Sequence, residues 1–365
     1  MNGLGADDSF YEDIVYTTKA VEIQRYNSYS SGVLLRDGRV VFVPHNATTI
    51  GIFNPTTNEY STIAGAPGSA AYKGGVLLPD GRVVFVPYNA TTIGIFNPKT
   101  NEYSTVPVPG ALGGYAYAGG VLLTDGRVVF VPYCAKTVGI FNPATNAYHE
   151  IAGPPVGGAY AGGVLLPDGR VVFVPANATT IGIFNPATNE YGTVAGPPGS
   201  FAYQGGVLLP DGRVIFVPYS AKTIGIFNPE TNAYSTIACE CFYHGYYGGV
   251  LLPDSRVVFV PLNERTLGIF NPTTNAYIIA SGCSVSYASA GGVLLSDGRV
   301  VLVPSWNTTH IGILTLSDEK ARARAQARTE AVKEELIAAA WHPKRMADWC
   351  LDTDERRELA EMWRC

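Results

Sequence analysis

The residues best equipped for chemistry lie where an otherwise regular chain becomes irregular. Cys239-Glu240-Cys241-Phe242-Tyr243-His244-Gly245-Tyr246-Tyr247 gathers two thiols, an imidazole and four aromatic rings within a short stretch. The next comparable stretch carries Cys283 and Tyr287, and a later one carries Trp306 and His310. Cys239, Cys241, His244 and Cys283 have the donor types of a Cys3His zinc site. Their spacing matches no standard zinc motif, so buried or free thiols are expected and no metal or cofactor is assigned. Phe242, His244, Tyr246, Tyr247, Tyr287, Trp306 and His310 are expected instead to form a binding sector. Catalysis finds little support. The five histidines are dispersed at His45, His149, His244, His310 and His342, and no Ser-His-Asp order or Gly-rich phosphate loop stands out. Without a converging acid, base or nucleophile, the expectation is that the chain is not an enzyme.

Two other sets recur at fixed intervals. Asp37, Asp80, Asp125, Asp168, Asp211, Asp254 and Asp297 are each followed two residues later by an arginine: Arg39, Arg82, Arg127, Arg170, Arg213, Arg256 and Arg299. These fit turn residues whose arginines reach a neighbouring unit, and an anion-binding ring is the alternative. Tyr29, Tyr72, Tyr117, Tyr160, Tyr203 and Tyr246 form a second set, with Ser289 in seventh place. Such tyrosines either pack between units with their hydroxyls partnered, or ring the mouth of a central channel and bind a ligand.

What must position these sets is a sentence repeated seven times. Its clearest form is Gly-Gly-Val-Leu-Leu-Pro-Asp-Gly-Arg-Val-Val-Phe-Val-Pro, then a polar loop, then Ile-Gly-Ile-Phe-Asn-Pro-x-Thr-Asn-x-Tyr. The glycine before the first valine recurs at Gly32, Gly75, Gly120, Gly163, Gly206, Gly249 and Gly292, every 43 or 45 residues. A period of this size means stacked supersecondary units. Val76-Leu77-Leu78 and Val83-Val84-Phe85-Val86 are joined by an Asp-Gly turn, for which a type I′ hairpin is expected. Pro87 ends the second strand. Ile93 to Phe96 and Tyr103 to Val106 are joined by Asn97-Pro98-Lys99-Thr100-Asn101, where proline suits the first corner and Asn101 tolerates the left-handed region. Four antiparallel strands per repeat make one blade of an all-β, seven-bladed β-propeller. Ser255 replaces the turn glycine in the sixth copy, a local strain.

The seventh copy lacks the Asn-Pro-x-Thr-Asn turn and the fourth strand. Residues 13–23, strand-like and without a hairpin partner, are expected to supply that strand and close the ring. The expected organisation is therefore a propeller over residues 1–316 and a tail over 317–365. The tail loses glycine and gains charge, and Ala, Arg, Glu and Lys dominate Glu319 to Trp341. It reads as a small C-terminal α-helical extension broken at Pro343, holding Trp341, Trp349 and Trp363.

The Leu-Pro-Asp-Gly-Arg-Val-Val-Phe-Val hairpin followed by Ile-Phe-Asn-Pro-x-Thr-Asn-x-Tyr resembles kelch repeats, especially the kelch-type propeller of the galactose-oxidase group, over residues 32–316. It departs from them in placing proline after the second strand, the double glycine before the first, and tyrosine where kelch repeats usually have tryptophan. The histidine, tyrosine and cysteine set of a copper–radical oxidase is absent. Ala340-Trp341-His342-Pro343-Lys344-Arg345, with Trp349-Cys350-Leu351-Asp352, resembles C-terminal segments common among proteins of large DNA viruses of protists.

Composition narrows the function classes. A net charge of −5 and a pI near 5.6 disfavour nucleic-acid binding. No apolar run is long enough to span a membrane, and the first residues do not read as a signal peptide. Six cysteines without such a signal suggest reduced thiols and a cytoplasmic location, or a virion if the chain is viral. The sequons at Asn46, Asn89, Asn177 and Asn307 then read as by-products of the repeat. The leading expectation is a non-enzymatic kelch-like scaffold that binds a protein through its variable-loop face and possibly its tail. A structural component of a large-virus particle and a carbohydrate-binding propeller are the alternatives.

Overall fold

The computed structural model describes residues 14–23, 27–108, 114–239, 241, 243–264, 266–284, 289–305 and 308–316, with only the backbone described for 281–284. They form seven four-stranded antiparallel sheets, each built from consecutive strands except the last. Blade one runs Tyr29–Leu34, Val40–Pro44, Thr49–Asn54 and Glu59–Ala64, and blades two to six repeat it. The first strand lies innermost, against the first strands of both neighbouring blades. All seven second strands are buried at every position. A Val-Val-Phe-Val run with no polar face suits a strand sandwiched between two neighbouring blades. Each such side chain contributes about 1.5–3 kcal/mol of burial.

The repeat glycine has a packing reason. A Cβ on Gly75 would lie 2.7 Å from Val33 Cγ2 and 2.7 Å from Val43 Cγ2 of the preceding blade. The valines of one blade therefore seat against bare backbone of the next. The repeat tyrosines follow the packing alternative. Tyr72 is fully buried, and its hydroxyl lies 2.6 Å from that of Tyr103 on the outer strand. The same pairing joins Tyr29 to Tyr60, Tyr117 to Tyr148, Tyr160 to Tyr191, Tyr203 to Tyr234 and Tyr246 to Tyr277, at 2.6–2.7 Å. These six rings are not a channel-mouth ring. They hold inner strands to outer strands inside each blade.

Blade seven is closed by the amino-terminal side of the chain. Ile14–Ala20 pairs antiparallel with His310–Leu316, with Ile14 opposite Leu316 and Ala20 opposite His310. Tyr16 sits opposite Leu314, the place that Tyr60 holds opposite Phe53 in blade one. The closing strand thus restores the outer tyrosine that the truncated copy lacks.

The two hairpins of each blade open on one face, here the turn face. The Asn-Pro-x-Thr-Asn hairpin matches its reading: Asn58, Asn101, Asn146, Asn189, Asn232 and Asn275 have φ between 54° and 58°. The Asp-Gly hairpin does not. Gly81 has φ 89° while Asp80 keeps negative φ, the Gly81 amide donates to the Leu78 carbonyl, and the Leu78 amide donates to the Arg82 carbonyl. This is a type I turn followed by a left-handed glycine, which the proline at the first corner favours over type I′. Ser255 takes φ 75° at that glycine position, the strained backbone expected there. The α-helical extension over 317–365 lies outside the described residues.

Candidate functional site

The opposite face, the loop face, carries the connections between blades and between second and third strands. Each first strand enters from it through a bulge: pairing skips from Tyr72 opposite Pro87 to Gly75 opposite Phe85. The skipped Gly74 has φ 88°, and a Cβ there would lie 2.8 Å from Gly119 Cα of the next blade. Inner strands therefore approach backbone to backbone, and the bulge places residue 73 at the axial end of the strand. In chain order that position holds Ser30, Lys73, Ala118, Ala161, Gln204, Tyr247 and Ala290. The position after each second-strand proline holds His45, Tyr88, Tyr133, Ala176, Tyr219, Leu262 and Ser305. Near-identical blades thus place different side chains around one mouth.

Lys73 stands at its centre with 9 % of its surface exposed. Its ammonium lies 5.2 Å from the ring centres of Tyr88 and Tyr133, and 5.5 Å from that of Tyr247. Three ring faces thus stabilise a cation drawn from three blades. Burial lowers the Lys73 pKa to about 8, opposed by the nearby Cys134 thiol. Among the described residues no carboxylate or carbonyl accepts a hydrogen bond from it. Burial, then the neighbouring Cys134 and tyrosines, raises Tyr133 to about 12. Burial and the nearby Tyr247 and Tyr243 raise Tyr219 to about 12, and burial also raises Tyr247. Near neutral pH the mouth therefore holds one positive charge and a set of neutral phenols, all able to donate.

The aromatic surround is continuous. His45 packs 5.6 Å from Tyr88, which packs 4.8 Å from Tyr115 and 5.9 Å from Tyr133. Across the mouth, His244 stacks 4.4 Å from Tyr219 and 4.0 Å from Tyr243, and Tyr247 meets Tyr219 edge-on at 6.4 Å. Burial, outweighing the bond to the Tyr72 carbonyl, lowers the His45 pKa, and Lys73 adds to this. Neutral His45 donates from Nδ1 to that carbonyl at 3.0 Å.

Around the mouth, the loops between blades push apolar side chains into solvent. Tyr115, Val156, Phe201 and Tyr243 are four of the six large hydrophobic residues exposed among the described residues, each on a different interblade loop. Tyr115 and Phe201 hold φ of 66° and 50°, a strained conformation for bulky residues. The Asn89 and Asn177 side chains fix it, each accepting a hydrogen bond from the Tyr115 or Phe201 amide at 2.8 Å. Asn46 does the same for Ala70. Three of the four sequon asparagines therefore shape these loops.

The sequence-predicted sector is only partly assembled. His244 and Tyr247 meet at Tyr219 on the mouth's edge. Tyr246 is buried within its blade. His310 begins the third strand of blade seven, where its Nδ1 lies 3.1 Å from Thr309 Oγ1, away from the axis. Phe242, Tyr287 and Trp306 lie outside the described residues. Cys239 and Cys241 form a disulfide, which corrects the expectation of reduced thiols. It also removes two of the four proposed zinc donors. The Cys283 backbone belongs to the strand Ala276–Ser284. The decisive residues, Lys73, Tyr88, Tyr133 and Tyr219, were missed. Their signal was the variation of two repeat positions that share one end of the blade.

A seven-bladed β-propeller with an axial aromatic mouth is the class these observations define. Among solved structures, the chain is similar to a streptogramin B lyase, with a TM-score of 0.72 and 18 % identity over 84 % of this chain and 99 % of that one. It is equally similar to virginiamycin B lyase from Staphylococcus aureus, with a TM-score of 0.72 and 17 % identity over 83 % and 100 %. U3-55K matches with a TM-score of 0.66 and 12 % identity over 83 % and 98 %. No family model and no curated protein matches. At these identities the likeness establishes the fold. The kelch and viral-tail resemblances gain no support from it. The expectation that the chain is not an enzyme is corrected: two of the solved structures that share its fold are lyases, and dispersed histidines give no ground for setting catalysis aside.

Proposed function

We propose that this propeller binds a protein partner on its loop face, with the Lys73 mouth as the centre of the footprint. The observation that carries this reading is the rim of Tyr115, Val156, Phe201 and Tyr243 around a shared aromatic mouth. Exposed apolar groups scattered singly need no explanation. A set placed on consecutive interblade loops of one face, two of them in strained backbone, resembles the aromatic centre of a protein interface. Blades three to six supply the rim, so a partner would sit off-centre and reach the axis. The carbohydrate reading rested on the six repeat tyrosines, which are buried. The large-virus reading rests on the tail, which lies outside the described residues, and on near-identical, low-charge blades, which suit any propeller scaffold.

Cross-linking mass spectrometry of the full chain with co-purified partners tests the proposal. Partner cross-links should cluster on the loop face. They should be lost in a Tyr115→Ser, Phe201→Ser, Tyr243→Ser triple variant and retained in Glu59→Gln on an outer strand. Cross-links that map to the turn face would end the proposal.

A further inference from the structure

We infer that the mouth is a carboxylate-binding site, in which Lys73 pairs with an acidic group carried on a flat apolar body. The inference rests on the loop-face reading and names the chemistry at its centre.

Lys73 is nearly enclosed, yet no carboxylate or carbonyl among the described residues accepts from it. The seven repeat arginines of the turn face each have a carboxylate at 2.7 Å. A buried cation without a counter-ion is costly, and three ring faces offset that cost only in part. The hydroxyls of Tyr88, Tyr133, Tyr219 and Tyr247 likewise donate to no described residue, so the mouth holds donors with nothing to accept from them. A cationic ligand would be repelled, because Lys73 already occupies the aromatic cage. A carboxylate would take the ammonium as its partner and the phenols as additional donors. Its apolar body would lie against Tyr88, Tyr115 and Tyr133 on one side or Tyr219 and His244 on the other.

The charge-bearing groups facing Lys73 are Cys134, Tyr88, Tyr133, Tyr247 and, through the Tyr72 carbonyl, His45. The phenols and His45 are neutral near pH 7, and Lys73 is the one cation among these groups.

Calorimetric titration of the full chain with benzoate, with N-acetyl-Phe-Asp-amide and with its Asn counterpart tests the inference. Benzoate assigns the site to a free acid, and the Asp peptide assigns it to a partner's side chain. At least one should bind the native chain ten-fold or more tightly than it binds Lys73→Met, while the Asn peptide fails. Binding should weaken between pH 7 and pH 9.5. A melting temperature for Lys73→Met at or above that of the native chain excludes unfolding as the cause. Equal binding to Lys73→Met, or no binding of either acid to the native chain, overturns the inference. If the acids fail while partner cross-links persist, the loop-face reading stands and the carboxylate assignment falls. If the acids bind while the triple rim variant keeps its partner, the reverse holds.

Discussion

On the turn face, seven arginines each meet a carboxylate. On the loop face, one lysine meets three aromatic rings and no carboxylate. The turn-face pairs are self-contained. Arg170 holds Asp168 through Nε at 2.8 Å and reaches forward to the Pro229 carbonyl of the next blade at 3.2 Å. Six of the seven arginines make that forward bond. The exception is Arg256, whose neighbour is blade seven, where the Asn-Pro-x-Thr-Asn turn is replaced by the closing strand. Its Nη1 is buried without a partner. Charge on this face staples blades together, and a ring whose guanidiniums are already engaged has little left for an anion. Charge on the loop face is left open to a ligand. Repetition thus marks structure in this molecule, and departure from repetition marks the face proposed for binding.

The largest test asks whether the two faces belong to a closed ring at all. Deleting residues 1–23 removes Ile14 and Tyr16 and exposes the edge of His310–Leu316. This should lower unfolding stability by roughly 3–6 kcal/mol, read as a shift in denaturant midpoint. An unchanged midpoint would mean that closure is not structural, and the contrast between the faces would lose its frame.

Lys73→Met should then move stability the other way. Met keeps an apolar stem and removes a buried charge. A lysine whose folded pKa lies below its unfolded value destabilises the fold at every pH below the folded value. That penalty fades between pH 8 and about 10.5, as the amine loses its proton first in the folded state. The variant should gain about 2–3 kcal/mol at pH 7. The gain should shrink as pH rises through that window. A loss at pH 7 would mean that the mouth already contains the counter-ion Lys73 needs.

Arg256→Met should cost about 2–3 kcal/mol, because it leaves the Asp254 carboxylate, 17 % exposed against 50 % for Asp168, without its partner even though no forward bond is lost. Arg170→Met should cost less, about 1 kcal/mol, since it abandons a carbonyl and a half-exposed carboxylate. A smaller cost at Arg256 than at Arg170 would show that the forward bond outweighs the burial of the ion pair.

Much of this was legible in the sequence. The glycine period fixed blade count, Pro87 and its equivalents ended strands, Asn101 and its equivalents marked left-handed corners, and the missing seventh turn pointed to an amino-terminal closure. These are local requirements of φ, missing donors or hydrophobic runs, and each repeats seven or nearly seven times. The mouth was not legible in the same way. Lys73 is one residue beside Tyr72, yet the bulge turns the first to the axis and the second into the blade. Periodicity drew attention to the tyrosines for their recurrence. The axial position is informative for the opposite reason, since it changes from Ser30 to Lys73 to Ala118 to Tyr247. The irregular Cys239–Tyr247 segment stood out for its donor types, but its two thiols bond to each other, and only His244 and Tyr247 meet Tyr219 at the mouth's edge.

One consequence follows from the pairing of Ile14 with Leu316. Both residues stand at the turn-face end of blade seven, so the first and last described strands of the wheel meet on that face. The ring is thus clasped on the face opposite the mouth, and the loops that shape the mouth take no part in closing it.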